Sequence, residues 1–325
     1  MSNLSKRKRL EAAIAGEPVD RLPVALWRHW PGDDQDAAAL AAAHLKWQAD
    51  YDWDVLKVGP ASSYSVVDWG MTDRWDGHIE GTRTTTHLPV RSASDWEELR
   101  PLDPGRGMLA EQAKALRLVG DAVRAETPFL ATVFSPLSMA KHLAGNELML
   151  SHMRQHPASF RLGLETLTES ILSFIDVARA TGIAGIYYAV QHAAYPLMSR
   201  DEFETFGRPY DLRVLSSASD MWCNMVHLHG SRVMFDLVAD YPAAFLNWHD
   251  RDTGLSLAEG LARMRAAASG GVSQWTIHQE GPEATLAEVR DARQQTSDRR
   301  LLLGTGCVIM TTTPLRNIRA LREAV

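Results

Sequence analysis

A chain of 325 residues with a net charge of −6 offers no basic face for a nucleic acid, and its two cysteines are too few for a disulfide framework. No apolar run is long enough to cross a bilayer, and the first residues lack an apolar signal core. The composition therefore points to a globular enzyme of a reducing compartment, the cytoplasm, large enough to be one α/β unit spanning 1–325.

In chain order, Leu10, Ala13 and Ile14 recur at helical spacing from Ser5 to Ala15, behind the basic run 6–9, whose charges suit the solvated side of a first helix. Asp20-Arg21-Leu-Pro23 breaks that helix and leads into a short strand, Val24 to Trp27, ending in Arg28-His29-Trp30. An alanine-rich helix over 36–49 precedes a second strand, 55–58, stopped by Gly59-Pro60. Residues 64–91 break the rhythm: Gly70, Gly77, Gly81 and the threonines after them predict a β-hairpin insertion. Inside it, Asp76-Gly-His78-Ile-Glu-Gly81 matches the Asp-x-His-x-x-Gly pattern of corrinoid-binding modules. No Rossmann-like context surrounds it, so a turn is the reading we adopt.

Further along, a helix over 104–126, a strand over 128–134, helices over 136–143 and 157–181, and a strand over 185–191 follow. Ser199-Arg-Asp-Glu202 is a capping box that opens the next helix, which Pro209 should interrupt. The second half predicts strands at 225–228, 245–248, 275–277 and 301–303, alternating with helices near 232–239, 256–268, 283–295 and 314–324. Eight βα repeats with no glycine-rich dinucleotide turn predict a (β/α)8 TIM barrel rather than a doubly wound sheet.

Active sites of such barrels lie at the C-terminal strand ends. There His227 and His229, two apart on a strand, share a face, and Cys307 ends a neighbouring strand. Two histidines and one cysteine suit a catalytic zinc with an open fourth position; equally, they could be polar strand-end residues and a buried thiol. Other strand ends supply Arg28, Gln191, His192, His249 and Gln279 as candidate substrate-binding groups, with Asp250 and His278 as candidate proton carriers. Arg28 either clamps an anion in the pocket or pairs with Asp20. Trp27, Trp30, Tyr187 and Trp248 could pack the rim or receive a flat donor.

Four segments together resemble the uroporphyrinogen decarboxylase superfamily: Gly16-x-x-x-Asp20-Arg21-x-Pro23-Val24, Phe134-Ser-Pro136, Met198-Ser199-x-x-x-Phe203 to Pro209-Tyr210, and Gly304-x-Gly306-Cys307 to Thr313-Pro314-x-x-Asn317-Ile318. The resemblance spans nearly the whole chain and implies an (α/β)8 barrel, often a homodimer. One branch decarboxylates uroporphyrinogen without a metal, using arginines and an aspartate. The other resembles methylcobamide:thiol methyltransferases, which use zinc to activate a thiol such as coenzyme M.

Where the decarboxylases carry an arginine-rich run after the first strand, this chain has Trp27-Arg28-His29-Trp30-Pro31. Methyltransferases of the family show His-x-Cys after the fifth strand and a cysteine after the eighth, so His227-x-His229 with Cys307 fits that frame with one cysteine exchanged for histidine. The exchange leaves the centre more cationic, which makes a bound sulfur less nucleophilic and keeps acceptors other than thiols open. Three functions are therefore expected in competition. The first is zinc-dependent methyl transfer from a corrinoid, carried by a separate protein, to a thiol or other nucleophile. The others are a metal-free lyase and a non-catalytic corrinoid or tetrapyrrole carrier using His78.

Overall fold

The computed structural model describes residues 3–325. In chain order the strands are β1 (Leu56–Val58), β2 (Thr72–Arg74), β3 (Thr84–His87), β4 (Phe129–Phe134), β5 (Gly185–Val190), β6 (Met225–Leu228), β7 (Phe245–Trp248), β8 (Ala267–Val272) and β9 (Leu301–Thr305). All but β2 and β3 form one curled parallel sheet, each strand pairing with the next in sequence. Helices, or between β6 and β7 a single 3-10 turn, connect them, giving a mixed α/β, barrel-like architecture. The strands of this sheet are buried along their whole length, as parallel strands covered on both faces must be. Between β1 and β4, β2 and β3 pair antiparallel, and the loop joining them reaches the barrel mouth.

The two edges of the curled sheet are joined by the segment predicted as a first strand. Ala25 N donates to Leu303 O (3.0 Å), Leu303 N to Pro23 O (2.9 Å), and Asp54 N to Val24 O (3.0 Å). One ladder pairing, Val24 with Leu303, forms there, so this part of the barrel is an extended segment rather than a full strand. It is pinned by ions. Fully buried Asp54 accepts from Arg9 Nη1 (2.7 Å), Arg21 Nη1 (2.7 Å) and Val24 N (2.8 Å), while Arg9 also pairs with Asp20. The Asp20-Arg21 part of the opening motif thus serves barrel closure.

The seventh of the eight expected strands lies elsewhere than predicted. It is β8, residues 267–272, whereas 275–277 belongs to a turn of helix, Thr276–Gln279, and the helix predicted over 256–268 ends at Arg263. Ala267-Ala-Ser-Gly-Gly-Val272 reads as helix or loop by propensity, yet its small side chains are what the packing demands. A Cβ on Gly270 would meet Asp250 Oδ1 at 2.5 Å, and one on Gly271 would meet the Ala292 Cβ at 2.8 Å. Tertiary crowding overrides β-propensity here.

Elsewhere local signals act as expected. Ser199 and Glu202 form a full capping box, and the helix they open breaks at Gly207 before Pro209 starts the next. Residues 232–239 hold a single 3-10 turn, Phe235–Leu237, and an unanticipated helix spans Asn146–Gln155. Among the described residues no helix is long and apolar enough to cross a membrane.

Candidate functional site

The C-terminal ends of β6, β7 and β9 bring four donors together: His227, His229, His249 and Cys307 offer ligand atoms that all lie within 4.8 Å of one another. Cys307 Sγ is 3.8 Å from His227 Nε2 and 3.7 Å from His229 Nδ1. Zinc bonds of roughly 2.0–2.1 Å to nitrogen and 2.3 Å to sulfur, at a tetrahedral angle, separate those atoms by about 3.5 Å. Those two separations need a closure of only a few tenths of an ångström to receive the ion.

Backbone geometry explains the convergence. His227 and His229 share one face of β6 by strand alternation. Asn247 and His249 do the same on β7, whose register sets Asn247 opposite His227. Cys307 arrives because the preceding glycines allow β9 to run against its neighbours: a Cβ on Gly304 would meet Ala25 O at 2.5 Å, and one on Gly306 would meet Trp248 O at 2.5 Å. The Gly304-x-Gly306-Cys307 motif is thus a device for close approach.

The electrostatics suit a cation. Burial holds His227 well below the usual imidazole range and brings His229 and His249 down to about 4, so all three are neutral donors near pH 7. Burial pushes the Cys307 thiol up to about 12, so it is a thiolate near neutrality only with a cation beside it. His249 Nε2 is buried with no hydrogen-bond partner, an orphan that a metal would satisfy. The donor set fits zinc.

His227, His229 and Cys307 line a cavity of about 340 Å³. Its walls carry Lys57, Tyr187, Gln191, Lys141, His142 and His29, and the loop between β2 and β3 covers part of it with His78, Glu80, Thr82 and Arg83. Lys57, on β1, is buried, sits 4.5 Å over the Tyr187 ring, and is brought down to about 8 by burial. The ring of Tyr187 stacks in turn on His227, with centroids 5.5 Å apart. Lys141 is also lowered by burial. Arg83 is occupied with Asp34 and Asp73, which ties β3 to the body of the protein.

The remaining expected residues divide sharply. Gln191 lines the cavity, its Oε1 buried without a partner. His249, expected to bind substrate, lies within the cluster, its ligand atom within 4.8 Å of those of the other three. His192 lies behind the wall, 3.3 Å from Asn146 Oδ1. Asp250 turns the other way from His249 and accepts from Gly271 N (3.2 Å); burial raises it to about 7. Arg28 neither faces the cavity nor meets Asp20, because its guanidinium lies 4.6 Å over the Trp30 ring. His278 and Gln279 fall on the helical turn after β8, outside the cavity lining, because the strand expected to aim them there ends earlier.

Sequence reasoning missed Lys57, Lys141 and Asn247, while Tyr187, named as a mouth aromatic, does line the cavity. A signal existed for Lys57 and Asn247, each a polar residue interrupting an apolar parallel strand, which burial tolerates only for a reason. The His78 segment forms the loop over the mouth, where the His78 ring accepts from Glu80 N (3.3 Å) and Gly81 is pressed against His29 and Thr311.

The chain is 18% identical over 341 residues to the methylcobamide:CoM methyltransferase MtbA of Methanosarcina mazei, covering 99% of this chain and 98% of that one. It is 23% identical to MtaA, the methylcobamide:CoM methyltransferase of Methanosarcina barkeri, over 100% of this chain and 98% of that one. A solved methyltransferase from Methanosarcina mazei superposes with a TM-score of 0.87 at 21% identity, covering 99% and 98% of the two chains, and so shares the fold. The model of the uroporphyrinogen decarboxylase (URO-D) family matches residues 77–325, and the chain belongs to that family.

Proposed function

We infer that this protein is a corrinoid-dependent methyltransferase in which zinc, held by His227, His229 and Cys307 with His249 as a fourth donor that the acceptor would displace, activates a small thiol acceptor. The observation that carries the reading is the four-donor cluster, three of whose members line the barrel-mouth cavity. End-to-end similarity to proteins named methylcobamide:CoM methyltransferases supports it. Bound there, zinc would supply Lewis acidity that lowers the pKa of the acceptor's S–H towards neutrality.

The other tasks fall to the chain. Burial keeps the three imidazoles unprotonated and available. Lys57 and Lys141 place two ammonium groups in the cavity wall, where they pair with an anionic group on the acceptor, as a thiol of the coenzyme M type carries. Gln191 presents its side-chain amide to the same cavity, where the NH2 can donate to that anionic group. The methyl donor is a corrinoid presented by a separate protein at the open mouth. The methyl group leaves without its bonding electrons, the acceptor's sulfur supplies the pair for the new S–C bond, and the thiol proton is released. Asp250, His192, Arg28, His278 and Gln279 take no part in this reading, because their side chains lie outside the cavity lining.

The test is to incubate purified protein with methylcobalamin and a panel of charged and neutral thiols, following the visible spectrum with and without zinc. Zinc-dependent demethylation, fastest with an anionic thiol, is the expected result. If no thiol in the panel removes the methyl group while a metal-dependent hydrolysis or lyase activity appears with other substrates, methyl transfer is the wrong chemistry.

A further inference from the structure

We propose that Asn247 is the positioning residue that decides which nitrogen of His227 faces the donor cluster. Asn247 is fully buried on β7. Its Nδ2 donates to Ser269 O (2.8 Å) on β8 and to Thr305 O (3.0 Å) at the end of β9. Backbone carbonyls only accept, so the amide NH2 must face them and the orientation of the side chain is fixed. Oδ1 is left as an acceptor, 2.6 Å from His227 Nδ1 and 3.4 Å from the Tyr187 hydroxyl. An acceptor at that distance requires a proton on Nδ1, and the lone pair of the neutral ring then lies on Nε2, the atom 3.8 Å from Cys307 Sγ.

The device is built from register. Pairing of β6 with β7 sets His227 opposite Asn247, and pairing of β7 with β8 sets Asn247 opposite Ser269. A single side chain therefore ties the strand carrying His227 to the strands on its far side, one of which leads to Cys307. Among the described residues the other two imidazoles have no equivalent hydrogen bond, although His249 Nδ1 lies 3.8 Å from Asp252 Oδ2. His229 turns its Nδ1 towards Cys307, and His249 Nε2 is buried without a partner. Aspartate could not replace this amide, because it could donate to neither carbonyl and would set a charge against both.

The proposal deepens the metal reading above, and its two measurements fail separately. In the metal-free full-length protein, nitrogen NMR of labelled histidine should show His227 protonated on Nδ1 and bare on Nε2 at neutral pH. A ring protonated on Nε2, or a mixture of the two tautomers, overturns the assignment. Zinc is then titrated against a chromophoric chelator. Asn247→Ala should weaken zinc about 10–100-fold, the usual cost of losing an outer-shell partner, and should add no loss in a His227→Ala background. Unchanged affinity, or an equal loss in both backgrounds, overturns the proposal and leaves a merely structural residue. Should Asn247→Ala fail to fold, the tautomer measurement decides the proposal. A wild type that binds no zinc but shows the Nδ1–H tautomer removes the metal reading and leaves the role of Asn247 standing.

Discussion

Two buried polar clusters lie on this barrel, and they are built on opposite principles. In the N-terminal cluster, Arg9, Asp20, Arg21 and Asp54 satisfy one another, and Asp54 also holds Val24 N. At the mouth, His249 Nε2 and Gln191 Oε1 have no partners among the described residues, and the thiol of Cys307 lies against His227 and His229. Burying unsatisfied polar groups costs about 1–3 kcal/mol each, so the open cluster is suited to a ligand that would satisfy it, while the closed one is satisfied by the fold itself. Barrel closure and chemistry are assigned to different residues.

That contrast is best broken by substitutions on each side. The largest expected effect is at the mouth. The wild type should purify with about one zinc per chain, and His229→Ala or Cys307→Ala should remove most of it along with methyl transfer. The thermal midpoint of the metal-free protein should not fall in either variant. Elemental analysis showing full zinc in both would sink the site.

At the closed cluster the outcome should be reversed. Asp54→Ala leaves the buried Arg9 guanidinium without one of its carboxylates and Val24 N unpaired, and should destabilise the fold by about 3–5 kcal/mol in a denaturant titration. Folded variant should keep its zinc, and coupled loss of metal would mean that the two clusters are not independent.

Lys57 sharpens the comparison, since it is a mouth residue with no carboxylate partner among the described residues. Lys57→Met should raise KM for an anionic thiol about tenfold to a hundredfold, the worth of one charged hydrogen bond, with little change for a neutral thiol. The sign of its pH dependence follows from burial. Its ammonium titrates near 8 rather than near the ordinary 10.5, so the cation is present below about pH 8 and lost above it. The kcat/KM for an anionic acceptor should therefore decline above that pH in the wild type and hold in Lys57→Arg, whose guanidinium stays charged. A parallel decline in both proteins would assign the titration to another group. The same lowered pKa makes the folded state gain stability between about pH 8 and 10.5, where the unfolded chain holds the proton that the folded one has released.

The smallest effect expected is none. Uroporphyrinogen should give no coproporphyrinogen, because two unpaired lysines in a cavity of about 340 Å³ cannot compensate its many carboxylates. Chromatographic detection of the product would overturn this.

The chain's own pattern determined much of this protein. Alternating βα units indicated a parallel barrel, and the i, i+2 spacing of His227 and His229 put two imidazoles on one face before any neighbour was known. What the linear pattern left open was which of two adjacent polar residues at a strand end turns inward. At 28/29, 191/192 and 249/250 the sequence offered a pair each time, and His29, Gln191 and His249 turn towards the cavity or its donor cluster while Arg28, His192 and Asp250 turn away. Strand alternation permits one member of each pair but does not say which, because the choice depends on register against the neighbouring strand. Register likewise placed Asn247 against His227, and close packing against Asp250 and Ala292 turned Ala267–Val272 into a strand that its alanines and glycines would not form alone. Local chemistry named the candidate donors, and the pairing of strands distant in sequence decided which of them meet.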